Sequence, residues 1–152
     1  MRDNNSIKQL FEELFDGDPW LDINIITTLQ NINAVKASTR TSPFPNSIWE
    51  IVNHIIDWRL NVLKRVKGKV LKTPNTNYFK KVTNTSQQDW EETIERLKDS
   101  QSQWIKFLKE VDPNTFSNVY LNNGMTYYQH IHGIIQHDAY HLGQIVLLAK
   151  HG

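Results

Sequence analysis

The sequence contains no cysteine, and this absence alone excludes several kinds of chemistry. Disulfide bonds, thiolate metal ligands and a cysteine nucleophile are all ruled out, so imidazoles and carboxylates are the side chains left to bind a metal. The sequence also lacks the phosphate-binding patterns GxxxxGK[ST] and GxGxxG and the nucleophile pattern GxSxG. We therefore expect no P-loop, dinucleotide or serine-hydrolase site.

The chain also lacks an excess of charge of either sign and any long apolar run. Its 17 basic and 16 acidic residues give a net charge of +1, which does not favour a nucleic acid or an anionic membrane surface as partner. No apolar stretch has the length of a signal peptide core or of a membrane span. We expect a single cytoplasmic domain covering residues 1–152.

What the sequence does contain is apolar residues repeated at helical spacing, preceded by residues that cap helices. Ser6, Ser47 and Thr126 are each followed three residues later by Glu or Gln, as in a capping box, and Ser86 is a further N-cap candidate. The predicted helices are residues 7–15, 20–32, 48–67, 87–110 and 127–150. We predict an all-α fold with one core, an antiparallel four-helix bundle with an additional short helix and long connectors.

Two histidines in the last predicted helix have the spacing of a metal-binding pair. His137 and His141 are four residues apart, so their rings project about 40° and ~6 Å apart from one helix face. His54 lies among apolar residues of another predicted helix, and a bundle could bring it opposite the pair. Three imidazoles would hold one metal ion and leave coordination positions open for water or substrate.

The histidines of this chain also have interpretations other than a three-histidine site. A histidine pair on an exposed helix face often binds nothing, and zinc proteases have Glu where this chain has Asp138, with no further ligand downstream. His130 is about 10.5 Å from His137 along the helix, too far to share a metal. We expect His130 to be partly exposed in the first turn of the last helix, or else to line the entrance of a pocket at the metal site. His132 is expected to contact a neighbouring helix.

Three polar residues are candidates to support the site. Glu50 and Asp57, four before and three after His54, could orient an imidazole or accept a proton from bound water. Both could equally be solvated surface carboxylates. Gln144, three after His141, is a candidate hydrogen-bond partner for that ring. The connector 69–85 is expected to lie over the bundle through its aromatic residues.

With these residues in view, the chain resembles the DinB-like superfamily over most of its length. Residues 17–20 resemble its early GxxW turn, and residues 47–54 resemble its SIWExxxH helix. Residues 132–145 are similar to its long signature HGxIQHDxYHxGQI. The resemblance implies a four-helix bundle in which His54, His137 and His141 bind one divalent ion, commonly nickel or zinc, with water completing the coordination.

The resemblance also implies a homodimer and two kinds of reaction. Relatives are described as metal-dependent hydrolases, or as S-transferases and isomerases in which the metal activates bacillithiol, mycothiol or glutathione. A low-molecular-weight thiol is therefore a candidate cosubstrate. The alternative is a non-catalytic module, in which metal stabilises a dimer that acts through protein contacts in a stress response. The sequence leaves the metal and the substrate open.

Overall fold

The computed structural model describes residues 3–151, and these residues form six α-helices joined by loops and one short 3₁₀ helix. The helices are α1 (Asn4–Asp16), α2 (Ile25–Gln30), α3 (Ala34–Ser38), α4 (Ile48–Val66), α5 (Gln87–Glu110) and α6 (Tyr127–His151). The 3₁₀ helix is Pro113–Ser117. Within the described residues, strand-like pairing is limited to one isolated bridge between Val119 and Thr126. The all-α prediction is confirmed.

The four long helices α1, α4, α5 and α6 form the bundle. Helices α4 and α6 run antiparallel, since His54 contacts His137 while Arg65, further along α4, lies near the earlier His130 of α6.

Helix α5 instead runs parallel to α4, since Trp49 contacts Thr93 near the start of both helices and Lys67 lies over Phe107 near their ends. The long connector makes this possible, because it leads the chain from the end of α4 back to the level of its start, over a helix that spans about 28 Å. Not all neighbouring helices are therefore antiparallel.

None of the helices in residues 3–151 is both long and apolar enough to cross a membrane.

The predicted caps of the three longest helices are present. The Ser47 hydroxyl accepts a hydrogen bond from the amide three residues later at 3.2 Å, and Ser86 does the same at 3.1 Å. At the start of α6, Thr126 and Gln129 form a reciprocal capping box, with side chain to backbone distances of 3.1 and 2.8 Å. These bonds satisfy amides that have no partner within the helix, and so fix where each helix begins.

Two predictions for the N-terminal region are wrong. Helix α1 is capped by Asp3, which accepts from the Asn5 amide at 3.1 Å, and Ser6 therefore lies inside the helix. Of the predicted helix over residues 20–32, only α2 is helical, because the Asn24 side chain caps it at Ile25 and it ends at Gln30; the next helix, α3, begins only after a second cap at Asn33. An asparagine side chain that caps a new helix competes with continuation of the preceding one, even where the apolar spacing is helical.

The bundle interior is divided into two apolar clusters, where one was expected. One contains Trp49, Ile55 and Leu142, and the other contains Leu63, Trp104 and Ile131. A polar layer of four residues separates the two clusters. On each of α4, α5 and α6, its members lie between the residues of one cluster and those of the other: Arg59, Ser100, Gln101 and Asp138. Each of its members is at most 8% exposed.

Arg59 connects the polar layer to all of the long helices. Its guanidinium donates to Ser100 at 3.0 Å, to Asp138 at 2.6 Å and to the Gln101 side-chain oxygen. The Gln101 amide donates in turn to the Phe11 carbonyl of α1 at 3.2 Å. Buried polar groups are costly unless they are hydrogen-bonded, and here each charge has a partner of opposite sign or a polar neighbour.

Candidate metal centre

The three predicted histidines meet between α4 and α6. The Nε2 atoms of His54 and His137 are 3.0 Å apart, and one ring nitrogen from each of the three histidines lies within 4.8 Å of the others. His54 and His141 are buried, and His137 is partly exposed. The antiparallel pairing of α4 with α6 is what brings the single histidine of one helix opposite the pair on the other.

Oxygen acceptors behind two of the rings determine which nitrogen carries the proton. His54 Nδ1 donates to the Asn77 carbonyl at 2.6 Å, and His141 Nδ1 donates to Gln144 Oε1 at 2.7 Å. The Gln144 amide nitrogen donates in turn to the Tyr140 hydroxyl at 3.2 Å. Because an oxygen acceptor needs the proton on Nδ1, both rings present an unprotonated Nε2 to the centre.

His137 is held by a buried ion pair. Its Nδ1 lies 3.2 Å from Asp138 Oδ1, while the second oxygen of that carboxylate accepts from Arg59 at 2.6 Å. Arg59 and Asp138 are 2% and 1% exposed. A carboxylate behind a histidine orients the ring and increases its basicity toward a metal. All three histidines thus have an oxygen acceptor at Nδ1.

This arrangement fits a divalent ion. Two unprotonated nitrogens 3.0 Å apart repel each other unless a cation lies between them. Two nitrogens that each lie ~2.0–2.1 Å from one zinc ion can be at most about 4.2 Å apart. The 3.0 Å between His54 Nε2 and His137 Nε2 is below that limit. Burial lowers the pKa of His54 to about 4 and also lowers the pKa of His141, which keeps both rings in the neutral, ligating form. Three imidazoles suit zinc, nickel, copper or iron.

A cavity of about 620 Å³ opens over the three histidines. Phe79 from the connector stacks on His54, with ring centroids 3.9 Å apart and planes 8° apart, and Trp58 and Tyr140 also line the cavity. The predicted position of the connector is therefore confirmed. The turn that delivers the Asn77 carbonyl and Phe79 has a left-handed backbone at Asn77, with φ of 52°. The cavity has the size and aromatic walls of a small-molecule site.

Of the remaining histidines, His130 takes the second of its two expected positions, beside the cavity, whereas His132 differs from expectation. His130 is buried in the cavity wall, not partly exposed, with its Nε2 3.3 Å from Asn123 Oδ1. Burial, followed by the nearby positive charge of Arg65, lowers its pKa. His132 is exposed and stacks on Tyr128 of its own helix at 6.0 Å, because its direction on α6 points away from the bundle interior.

The structure places Glu50 and Asp57 away from the cavity, which corrects the expectation that they serve the metal site. Glu50 is buried against Arg40, with which it forms an ion pair at 2.5 Å. Asp57 lies 3.9 Å from Lys80, and burial raises its pKa. Both lie about one helical turn from His54 along α4, and neither lines the cavity. Their place as supporting acid is taken by Asp138.

The neutral state of His54 leads to a prediction about stability and pH. In metal-free protein the folded pKa of about 4 lies below the unfolded value of 6.5, so the unfolded chain binds more protons between these values. The stabilisation is complete above pH ~6.5 and is lost as the pH falls, by at most ~1.4 kcal/mol per pH unit for one group. Urea unfolding at several pH values should show this loss.

His54→Gln should show a smaller loss of unfolding free energy on acidification, because the titrating group is gone. His132→Gln is the matched control, since His132 is exposed and its loss should leave the pH dependence of wild type unchanged. An identical pH slope for His54→Gln and wild type would contradict the assignment of a depressed pKa to His54.

Comparison with known proteins identifies the family. The sequence profile of the DinB superfamily matches residues 24–145, which include α2 to α5 and most of α6. No curated protein and no solved structure matches the sequence significantly. The matched region contains all three histidines of the candidate metal centre. Because the match covers most of the chain, the protein belongs to the DinB superfamily.

Proposed function

We propose that His54, His137 and His141 hold one divalent metal ion, zinc or nickel, at an open site. The observation that carries this proposal is the convergence of the three rings, each with an oxygen acceptor behind it at Nδ1. Three protein ligands leave room for a further ligand from the adjoining cavity. Such an ion acts as a Lewis acid that lowers the pKa of a water or thiol it binds.

We further propose that the activated group is a low-molecular-weight thiol and that the protein is an S-transferase. A free thiol ionises with a pKa of ~8.5, far below the pKa of water, so water depends far more on a general base. Among the residues described, the cavity is lined by no Asp or Glu. Hydrolysis is the second candidate, because His130 offers a neutral imidazole as proton acceptor in the same cavity.

The protein side chains would perform three tasks in such a reaction. Asp138 and Gln144 hold the ring orientations of His137 and His141. Phe79 covers His54 and keeps water from that side of the site. Trp58 lines the cavity beside His137, with ring centroids 6.2 Å apart, and provides an apolar wall for an electrophilic substrate. Exclusion of water strengthens the electrostatic interactions inside the site.

A homodimer is also proposed, through a face of α6. Tyr140 and Leu147 are 66% and 56% exposed and, being seven residues apart, lie on one face of this helix. Sedimentation measurements with wild type and Leu147→Glu would test this, since the charge should shift the protein toward monomer. A wild-type protein that sediments as a monomer would contradict the dimer.

The transferase proposal predicts consumption of thiol by an electrophile. Metal-loaded protein is mixed with bacillithiol, mycothiol or glutathione and 1-chloro-2,4-dinitrobenzene, so that a carbon–sulfur bond forms and chloride and a proton are released. With at least one thiol the rate should exceed that of His137→Ala by about tenfold or more, a difference of ~1.4 kcal/mol in the barrier. The product is followed by its absorbance.

His132→Gln is the control and should keep the wild-type rate, because His132 is exposed outside the cavity. Equal rates for wild type and His137→Ala with all three thiols would end the transferase proposal. Hydrolysable esters would then be tested in the same variants. Metal binding with no turnover of either kind would favour the non-catalytic, metal-stabilised module.

A further inference from the structure

A second buried arginine lies in the wall of the metal-site cavity. Arg65 is only 7% exposed and lines the cavity together with His130 and Asn123. Its Nε donates to Asn61 Oδ1 at 2.6 Å, and one terminal nitrogen donates to Thr73 Oγ1 at 3.1 Å. These two neutral partners hold the guanidinium in place. They use only part of its five donors.

The positive charge of Arg65 has no counterion in residues 3–151. Arg59, which is also buried, is paired with Asp138 at 2.6 Å, whereas no carboxylate of the described residues lies within ion-pairing distance of Arg65. The Arg65 Cζ instead lies 4.7 Å from the ring centre of Tyr120 and 5.3 Å from that of Trp58. Aromatic faces offset part of the cost of burying a cation, but an anion offsets far more.

The groups around Arg65 leave its charge uncompensated. His130 lies in the same part of the cavity, and its pKa is lowered, so it is neutral at neutral pH. Asn123 and Gln129, which line the same end, are neutral hydrogen-bonding side chains. This end of the cavity therefore has one fixed positive charge, no negative charge and several polar groups. A guanidinium in such a setting matches a carboxylate or a phosphate.

We infer that Arg65 binds an anionic group, a carboxylate or a phosphate, of the molecule that occupies the metal-site cavity. Trp58 lies between the two ends, since its ring is near both Arg65 and His137. Because the Trp58 ring centre is 5.3 Å from Arg65 Cζ and 6.2 Å from the His137 ring centre, the guanidinium and that imidazole are less than about 12 Å apart. The ligand therefore reaches both, with its anionic group at Arg65 and its reactive group at the histidines.

This inference deepens the proposed function and rests on it only for the reactive end of the ligand. The anionic group belongs either to the thiol or to the electrophile, and the two share the same recognition chemistry. The proposed function can fail while the inference holds, because binding of an anion to Arg65 requires no turnover. The test therefore measures binding, with metal content determined separately for every variant.

The experiment compares a charged probe with its neutral isostere. Titration calorimetry measures binding of 4-phenylbutyrate, 4-phenylbutyramide and phenyl phosphate to the protein as purified with its metal. We expect wild type to prefer an anion over the amide and Arg65→Met to bind that anion about 10- to 100-fold more weakly. Arg65→Lys should lie in between, because it keeps the charge but loses the planar fork. The preferred anion identifies a carboxylate or a phosphate ligand.

Arg96→Met is the matched control, because Arg96 is an exposed arginine on α5 and should leave binding unchanged. No preference of wild type for either anion over the amide would overturn the inference. So would an unchanged preference in both Arg65 variants. Anion binding that is lost in His137→Ala but kept in Arg65→Met would assign the anion to the metal instead, and would also overturn it. Arg65→Lys keeps the test valid if Arg65→Met folds poorly.

Discussion

Wild-type protein purified without an affinity tag should carry about one zinc or nickel ion per chain, and His54→Ala and His137→Ala should carry almost none. Removal of a residue that merely supports a metal ligand typically costs 10- to 100-fold in affinity, so removal of a ligand itself should cost ~100-fold or more. The remaining two imidazoles cannot by themselves complete a stable donor set. Elemental analysis of the three proteins provides the measurement.

His132→Gln should retain the wild-type metal content, because His132 is on the same helix but exposed and directed away from the other three histidines. This control separates loss of a ligand from loss of any histidine. If wild type contains no metal even after incubation with zinc, nickel or manganese, the metal-centre proposal is wrong. The non-catalytic interaction module would then become the leading hypothesis.

Arg59→Met should lower the free energy of unfolding by about 3–5 kcal/mol, the usual cost of leaving one member of a buried ion pair without its partner. The carboxylate of Asp138 is 1% exposed, so water cannot replace the lost guanidinium. A loss of this size is a large fraction of the ~5–15 kcal/mol that stabilises a typical domain. Urea denaturation of metal-free and metal-loaded protein measures it.

A double variant and a surface variant sharpen this prediction. Arg59→Met with Asp138→Leu should be less destabilised than the sum of the two single variants, because no unpaired charge remains. Arg96→Met, at an exposed arginine, should change stability by no more than about 0.5 kcal/mol. Asp138→Asn should also weaken metal binding by 10- to 100-fold. A loss below about 1 kcal/mol in Arg59→Met would contradict the role of the ion pair.

Much of the fold could be predicted because its determinants are local. Apolar residues at helical spacing and the caps at Ser47, Ser86 and Thr126 act within a few residues of each other, so they can be recognised without tertiary contacts. The region before α4 was predicted less well. There the side chains of Asn24 and Asn33 can cap new helices, whereas the apolar spacing favours a continuous one. The sequence alone does not show whether the caps or the spacing prevails.

The three histidines could be predicted as a site because two lie on one helix face and the third on another apolar helix. Gln144 could be predicted as well, because it is three residues from His141, whereas the Asn77 carbonyl and Arg59 support the site through contacts far apart in sequence. Glu50 was misplaced because its partner Arg40 lies in an irregular segment whose position no local pattern determines. One signal was available for Arg59: it is a charged residue on an otherwise apolar face of α4, and such a residue requires a buried partner.

The buried polar layer has a consequence for how the metal centre is assembled. Apolar side chains of similar size tolerate a shift of one helix past its neighbour, but the Arg59 charge is satisfied at one height of the bundle only. Asp138, which meets that charge, directly follows His137 in α6. The helix register that satisfies Arg59 therefore also sets the height at which His137 meets His54, so the site is preorganised by the protein before any ion arrives.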